Sequence, residues 1–267
     1  LTYMCHNLHF QLYGAMFLGQ FEPAMEAAQF LEDTLTPEVV EPAADWLESY
    51  FSMRLHAFIR FGRWDDIMAY EAPDNAELFA FTHAVAQYAK TVACAASGDI
   101  DGALKHRAAF YPLRDAVPET RMLFNNKCSD ILAIATQMLE GELAYRQGDF
   151  DVAFDHLRQS ANLDDNLPYE EPWGWMQPTR HALGALLLEQ GHIAESEAVY
   201  RADLGLDGKL SRACQNPDNV WSLHGLHECL VKTGQGAEAR LIKQRLDLAN
   251  AHADAPITAS CACRLTH

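Results

Sequence analysis

Apolar residues recur at helical spacing along most of the chain. In residues 183–191, Leu183, Leu186 and Leu187 lie at helical spacing and a glycine closes the stretch. A second helical stretch begins at Ala194. No run alternates apolar and polar residues over the length that a half-buried strand needs. The pattern predicts an all-α protein.

A short motif interrupts these helical stretches at near-regular intervals. It consists of a glycine, any residue, a large apolar or aromatic residue, two variable residues and a small residue. Because glycine readily adopts the left-handed conformation that ends a helix, each copy is interpreted as the turn of an antiparallel helix pair. Stacked pairs of this kind form an α-solenoid. The three full copies begin at Gly19, Gly98 and Gly148, and three looser copies begin at Gly62, Gly191 and Gly234. The six glycines lie 36 to 50 residues apart.

The motif resembles the tetratricopeptide repeat, in which a small residue likewise follows the loop glycine by five positions. Gly141 and Gly184 also match the small residue that the family places seven positions before that glycine. The spacing exceeds the family's repeat of about 34 residues, so these repeats are degenerate, with longer connections. The resemblance implies one array of about six helix pairs over residues 1–254, a C-terminal tail over residues 255–267, and further repeats before residue 1. The equivalent position departs from the family pattern at Leu12, Leu55, Thr91 and His227.

The C-terminal third carries a narrower resemblance. Its segments look like those of a group of microbial tetratricopeptide-repeat proteins without assigned activity, which are longer at the N-terminus. That difference is what we expect of a chain that starts at Leu1. The resemblance implies no reaction and no ligand. The segments are residues 169–175, 177–184, 216–225 and 260–264.

Charge narrows the range of partners. The 267 residues contain 20 Lys and Arg against 37 Asp and Glu, which gives a formal net charge of −17. Nucleic-acid binding depends on Lys and Arg that neutralise phosphates, so a nucleic-acid partner is not expected, and a basic partner is favoured. No apolar run approaches the ~18–20 residues that a membrane span requires. The seven cysteines are odd in number and mostly lie singly among apolar residues, which is typical of free buried thiols in the cytoplasm.

The familiar catalytic motifs are missing from the sequence. It contains no phosphate-binding Gly-rich loop with Lys-Ser/Thr, no dinucleotide Gly-x-Gly-x-x-Gly, no Gly-x-Ser-x-Gly and no His-Glu-x-x-His. An enzyme is therefore not the leading interpretation. The leading hypothesis is an interaction module that binds a peptide, a protein segment or a small ligand in its concave groove. A metal-binding protein or metal-dependent enzyme is the alternative, and a structural assembly subunit is a third possibility.

Histidines fall at equivalent places in the repeats. In the family that the chain resembles, positions ten and six before the loop glycine line the concave face. Counting back ten gives His9, Ser52, Tyr88, Met138, His181 and His224. Counting back six gives Tyr13, His56, Val92, Glu142, Ala185 and Glu228. The resemblance therefore implies that these side chains share one groove, and the next helical turn adds Trp221.

Two pairs of histidines are also spaced for metal binding. His6 and His9, like His224 and His227, are three residues apart, so both rings of a pair can reach one ion on a helix surface. The metal hypothesis uses these four with His181, and a carboxylate from Glu228 or Glu170 would complete the ligands of a transition metal. Solvated or core histidines are the alternative interpretation.

The loop at residues 164–178 is unusually aromatic for a connection between helix pairs. Two tryptophans and a tyrosine beside two glutamates would form a stacking platform for a basic or aromatic ligand, or would simply fill the gap between repeats. The loop precedes His181, so we include it in the groove. The candidate groove residues are His9, His56, Tyr169, Glu170, Trp173, Trp175, Arg180, His181, Trp221, His224 and Glu228.

The tail holds a Cys261-x-Cys263 pair. Such a pair suits a soft metal ion or a redox function, yet it supplies only half of a tetrahedral zinc site. An unstructured tail is the alternative.

Overall fold

Residues 1–264 are described by a computed structural model and are predominantly helical, which confirms the all-α prediction. A single β-hairpin pairs β1 (Met122–Leu123) with β2 (Asn126–Lys127) within that range. No helix within it has the length and apolar character needed to cross a bilayer. The helices are α1 (Thr2–Leu18), α2 (Phe21–Thr34), α3 (Pro37–Val40), α4 (Ala44–Leu47), α5 (Met53–Arg60), α6 (Trp64–Ala69), α7 (Ala80–Ala96), α8 (Ile100–Ala116), α9 (Cys128–Gln147), α10 (Phe150–Asp165), α11 (Thr179–Glu189), α12 (Ile193–Asp203), α13 (Val220–Lys232) and α14 (Gly236–Asn250). Three short 3₁₀ helices lie at Glu41–Ala43, Glu48–Ser52 and Arg212–Cys214.

Six antiparallel pairs pack side by side in chain order, and each turn contains one of the motif glycines. The pairs are α1–α2, α5–α6, α7–α8, α9–α10, α11–α12 and α13–α14. All six glycines have φ between 64° and 86°, the left-handed region that other residues resist. In each turn the N–H of the next residue donates to the carbonyl five residues back, as Asp149 does to Ala144. The prediction that these glycines end the first helix of each pair is confirmed.

Close packing inside the C-terminal pairs depends on two other glycines. Tyr200 of α12 is completely buried, and its ring lies between Gly184 of α11 and Gly225 of α13. A Cβ added to Gly184 would lie 2.5 Å from the ring, and one added to Gly225 would lie 2.2 Å from it. Three helices therefore fix the position of one phenol ring.

The first pair contacts the last pair. The indole N–H of Trp221 on α13 donates to the carbonyl of Met16 on α1, at 2.7 Å. Asp254, just after α14, accepts hydrogen bonds from the N–H groups of Phe21 and Glu22 at the start of α2, at 2.5 and 3.0 Å. A carboxylate at this point satisfies free donors of the helix N-terminus and favours its dipole. The array thus curls far enough for its ends to meet.

Two irregular segments fill the interior of the array. One is residues 166–178 between α10 and α11, which we call the aromatic loop; Trp175 within it is buried. The other is residues 255–264 after α14, which we call the tail; Ser260 and Cys263 within it are only 2% exposed. The concave face is therefore covered by the chain itself.

Candidate functional site

The tail lies across the concave face without helix or strand. At its start, exposed residues alternate with partly buried ones, as in an extended chain: Pro256 and Thr258 face outward, whereas Ile257 and Ala259 face inward. The backbone is fixed where the tail begins, because the N–H groups of Asp254 and Ala255 donate to the carbonyl of Gly19.

Two arginines bind carbonyl groups of the tail. Arg60, the last residue of α5, donates from Nη2 to the carbonyl of Ser260 at 2.6 Å. Arg146, near the end of α9, donates from Nη2 to the carbonyl of Cys263. Arg146 also forms an ion pair with Glu142 one turn earlier, at 2.9 Å, and both side chains are buried. Two different helix pairs therefore hold the tail through its main chain.

The Ser260 side chain of the tail forms two buried hydrogen bonds with the helices. Its hydroxyl donates to the carbonyl of His181 at 2.9 Å, and the Tyr200 hydroxyl lies 2.5 Å from the same Oγ. Because a serine hydroxyl has one proton, Tyr200 is the donor in the second hydrogen bond. The buried phenol and the buried serine thus satisfy each other.

Arg264 ends the described part of the tail in an ion pair. Its Nη1 and Nη2 lie 2.6 and 2.9 Å from the two carboxylate oxygens of Glu228 on α13, a bidentate geometry. Burial raises the pKa of Glu228, but the hydrogen bonds and charge of Arg264 outweigh burial and lower that pKa below its usual value. Lys232 lies farther from the same carboxylate, at 3.8 Å.

His181 connects the tail site to a buried carboxylate. Its Nδ1 lies 2.7 Å from Nη1 of Arg60, and its Nε2 lies 3.0 Å from Asp203. Arginine only donates, so Nδ1 is the acceptor and the ring proton sits on Nε2, where it donates to Asp203. Burial lowers the pKa of His181, and the Arg60 charge adds to that effect against the opposing pull of Asp203. His181 is therefore neutral and orients Arg60.

Asp203 is held in its ionised form. Burial alone would raise its pKa, yet His181 and the hydrogen bonds from Ser222 and Asn216 lower that pKa overall. Arg60 completes the network, since its guanidinium stacks on the Trp221 ring at 3.9 Å.

A small cavity remains between the tail and the helices. Its volume of about 30 Å³ is enough for one or two water molecules. The Tyr88 hydroxyl, which lacks a hydrogen-bond partner, belongs to a side chain on its wall. Positions ten and six before the loop glycines contribute five of its lining residues, namely Tyr88, Val92, Met138, Glu142 and His181.

Two histidines of the N-terminal half, His9 and His56, lie in the core. His9 contacts the sulfur of Met176 and packs edge-on against Tyr50, while His56 packs edge-on against Trp175. Burial lowers the pKa of His56 to about 4, and burial together with the charges of His56 and His6 lowers that of His9 to about 3. Both rings are neutral and belong to the packing around the aromatic loop.

The aromatic side chains of the loop do not form a common platform. Tyr169 is 61% exposed and donates to Glu171, whereas Trp175 is 1% exposed. Trp173 is half-buried and donates from its indole nitrogen to Asp164 at 2.9 Å. The two tryptophans fill the gap between repeats, which is the other interpretation that the sequence left open.

The charged residues near the loop also have internal partners. Glu170 is buried, accepts the N–H of Asn125 at 2.7 Å, and has its pKa raised to about 7 by burial. Arg180 forms a bidentate pair with Asp165, at 2.5 and 2.6 Å. Neither side chain contacts the tail.

The metal candidates are distributed over separate surroundings. His6 stacks on Phe124, whereas His224 and His227 are half-buried on α13. Within residues 1–264 no group of three or more His, Cys, Asp or Glu side chains is arranged to hold a metal ion. Cys261 and Cys263 are joined in a disulfide, so their sulfurs are not a free ligand pair in this structure. The metal hypothesis has no supporting geometry in this part of the chain.

Sequence reasoning missed four of the residues that matter most at this site. Arg60, Arg146, Tyr200 and Ser260 were not singled out, because the tail was treated as lying outside the array. A signal was present in residues 259–263, a run of small side chains that can enter a narrow groove.

The chain matches no protein-family model, no curated protein and no solved structure. Its function is therefore argued from the geometry of the tail site.

Proposed function

We propose that the chain is a tetratricopeptide-like interaction module whose concave face binds a peptide segment. One observation carries the proposal: a segment of the same chain, the tail, lies on that face. The tail is extended at its start and ends in a turn, where the N–H of Arg264 donates to the carbonyl of Cys261. It contacts residues from the first, second, fourth, fifth and sixth helix pairs, among them Gly19, Arg60, Arg146, Tyr200 and Glu228.

The way in which the tail is held supports binding of a peptide from another protein. Arg60 and Arg146 donate to main-chain carbonyls, which every peptide has. Main-chain hydrogen bonds give affinity in such recognition, and pockets for side chains add specificity. Glu228 takes the single basic side chain of the bound segment, in keeping with a basic partner for an acidic protein.

In this proposal the tail is a competitor of the partner. A tethered segment has an effective concentration that reaches the millimolar range for a short connection. A partner peptide therefore binds only the fraction of molecules in which the tail has left, and its apparent affinity is reduced by that fraction.

A cytoplasmic location is also part of the proposal. Five cysteines within residues 1–264 are free, and four of them are buried, which suits the cytoplasm. In that compartment the Cys261–Cys263 disulfide would be open to reduction, while the contacts of Arg60, Arg146 and Glu228 with the tail do not use sulfur.

The test uses the full chain. A protease site is inserted beside the exposed Pro256, and the protein is cut only after it has folded, so that the tail stays in place without its tether. A fluorescent peptide of residues 257–264 is then added, and exchange is followed by anisotropy. We expect saturable binding that an excess of unlabelled peptide reverses.

Two protein variants, each lacking one carboxylate, test whether peptide binding depends on the groove. Glu228→Gln removes the partner of Arg264 in the groove, whereas Glu238→Gln removes a bidentate partner of Arg201 on another surface. We expect faster peptide release from the first and unchanged release from the second. A cut tail that does not exchange in the wild type or in Glu228→Gln would show that the tail is a fixed part of the fold and would overturn the proposal.

A further inference from the structure

The side chains of the tail indicate which peptides the groove accepts. Resting on the proposed function, we infer that it selects a neutral segment of small residues followed by arginine, with serine at the first position, a small residue at the third and arginine at the fifth. The tail displays this pattern as Ser260, Ala262 and Arg264. The partner is therefore a basic-ended, small-residue peptide.

The first position is specific for serine in both size and chemistry. Ser260 faces Tyr200, which cannot retreat because Gly184 and Gly225 pack against its ring. A larger side chain has no room there. Alanine would fit, but it would leave the Tyr200 hydroxyl and the His181 carbonyl without their buried partner, which weakens binding.

The third position is limited by a close approach of two backbones. The Cβ of Ala262 lies 2.8 Å from the point that a Cβ on Gly62 would occupy. Residue 62 is thus a glycine for its left-handed turn and for its contact with the tail. A side chain at the third position that extends toward this turn would collide with it.

The second and fourth positions have little room either. Cys261 and Cys263 both line the cavity of about 30 Å³ beneath the tail. Arg146 donates a hydrogen bond to the main-chain carbonyl of the fourth residue and not to its side chain. These two positions accept small neutral side chains, and in the tail they are the two cysteines that the disulfide joins.

The fifth position carries the charge. The side chains of Arg264 and Glu228 are 19% and 24% exposed, so water screens their bidentate pair only in part. An acidic residue at this position would face Glu228 directly. Because this change replaces attraction by like-charge repulsion, it should weaken binding by about ten-fold or more.

A panel of peptides tests the inference on the chain that was cut after folding. Each peptide spans residues 257–264, with its cysteines oxidised as in the structure. We expect Arg264→Glu and Ala262→Leu to lose at least ten-fold in affinity, and Ser260→Ala to lose less. Thr258→Ala, at an exposed position, is the matched control and should bind like the wild-type peptide.

A charge exchange assigns the arginine to its partner. The protein variant Glu228→Arg should bind the Arg264→Glu peptide better than the wild-type protein does, and the surface variant Glu238→Arg should not. If Arg264→Glu loses affinity and Glu228→Arg fails to restore it, the inferred partner of the arginine is wrong.

The two proposals fail in different ways. If every peptide of the panel binds as tightly as the wild-type sequence, the selectivity inferred here is wrong while a peptide-binding groove remains. If no peptide binds, including the wild-type sequence, the proposed function itself is wrong.

Discussion

The two segments that fill the interior are held in opposite ways. The aromatic loop inserts large rings, with Trp175 packed against His56 and Tyr88. The tail inserts small side chains and is held by hydrogen bonds and ion pairs at its carbonyls, at Ser260 and at Arg264. Removal of the loop would open a large apolar void. Removal of the tail would expose polar groups that water can satisfy, together with the smaller apolar contacts of Ile257, Cys261 and Cys263. The loop is therefore part of the core, and in the proposed function the tail occupies the place of a ligand.

The largest loss of stability is expected at the centre of the aromatic loop. Trp175→Ala should lower the free energy of unfolding by about 3–5 kcal/mol, because a fully buried indole leaves a cavity that the helices cannot fill. Urea denaturation followed by circular dichroism measures this loss. Tyr169→Ala, in the exposed part of the same loop, should change stability by no more than about 0.5 kcal/mol. Similar losses for both would mean that the loop is not core.

The free energy of unfolding should fall in acid because the loop buries His56. The folded pKa of about 4 lies below the ordinary value of 6.5, so the unfolded chain binds the proton more tightly between these values. His56 therefore contributes stability that is complete above pH 6.5 and is lost as the pH falls toward 4. The loss over this window is at most about 3 kcal/mol.

The comparison of wild type with His56→Gln isolates this contribution from those of other groups. Stability measured from pH 7 to pH 4 should fall less steeply in His56→Gln. Parallel pH profiles for the two proteins would place His56 in contact with water.

A glycine beneath the tail should couple the fold to tail binding. Gly225→Ala places a Cβ 2.2 Å from the Tyr200 ring, and overpacking of this kind costs about 1–3 kcal/mol. The displaced ring would also lose Ser260, so hydrogen exchange in the tail should accelerate beyond that in α9. Gly14→Ala is the control, since nothing lies within 4 Å of the added Cβ. Equal acceleration in the tail and in α9 would show global unfolding only.

The smallest effect on stability is expected where the tail is most like a ligand. Glu228→Gln should cost no more than about 1 kcal/mol, because a partly exposed ion pair contributes little to folding. The same change should still speed hydrogen exchange in residues 257–264, measured by mass spectrometry. Glu238→Gln should leave that exchange unaltered. A large loss of stability from Glu228→Gln would make the tail a structural element like the loop.

The sequence was sufficient to predict the helix pairs and which way their residues face. The turn glycines mark the ends of helices through local backbone preference, and local preference can be read from a sequence. Positions counted from those glycines do face inward, as Tyr88, Met138 and His181 show at the cavity. This part of the site followed from the turn glycines together with what the resemblance to the repeat family implies.

What covers an inward face could not be predicted in the same way. An inward histidine has the same position in the pattern whether the groove is open or filled, so His9 and His56 were interpreted as groove residues although they are core. The covering segments come from remote parts of the chain and lack periodicity. The contact of Trp221 with Met16, 205 residues apart, likewise depends on the summed curvature of all six pairs rather than on any one of them.

That contact changes how the array should respond to force and heat. In an open solenoid each repeat touches only its neighbours, so the terminal repeats can fray one at a time. Here α1 rests on α13, and Asp254 anchors the start of α2, so each end of the described chain is braced by the other. Loss of the first pair would release the last as well, and the helices should melt in one cooperative step rather than from the ends inward.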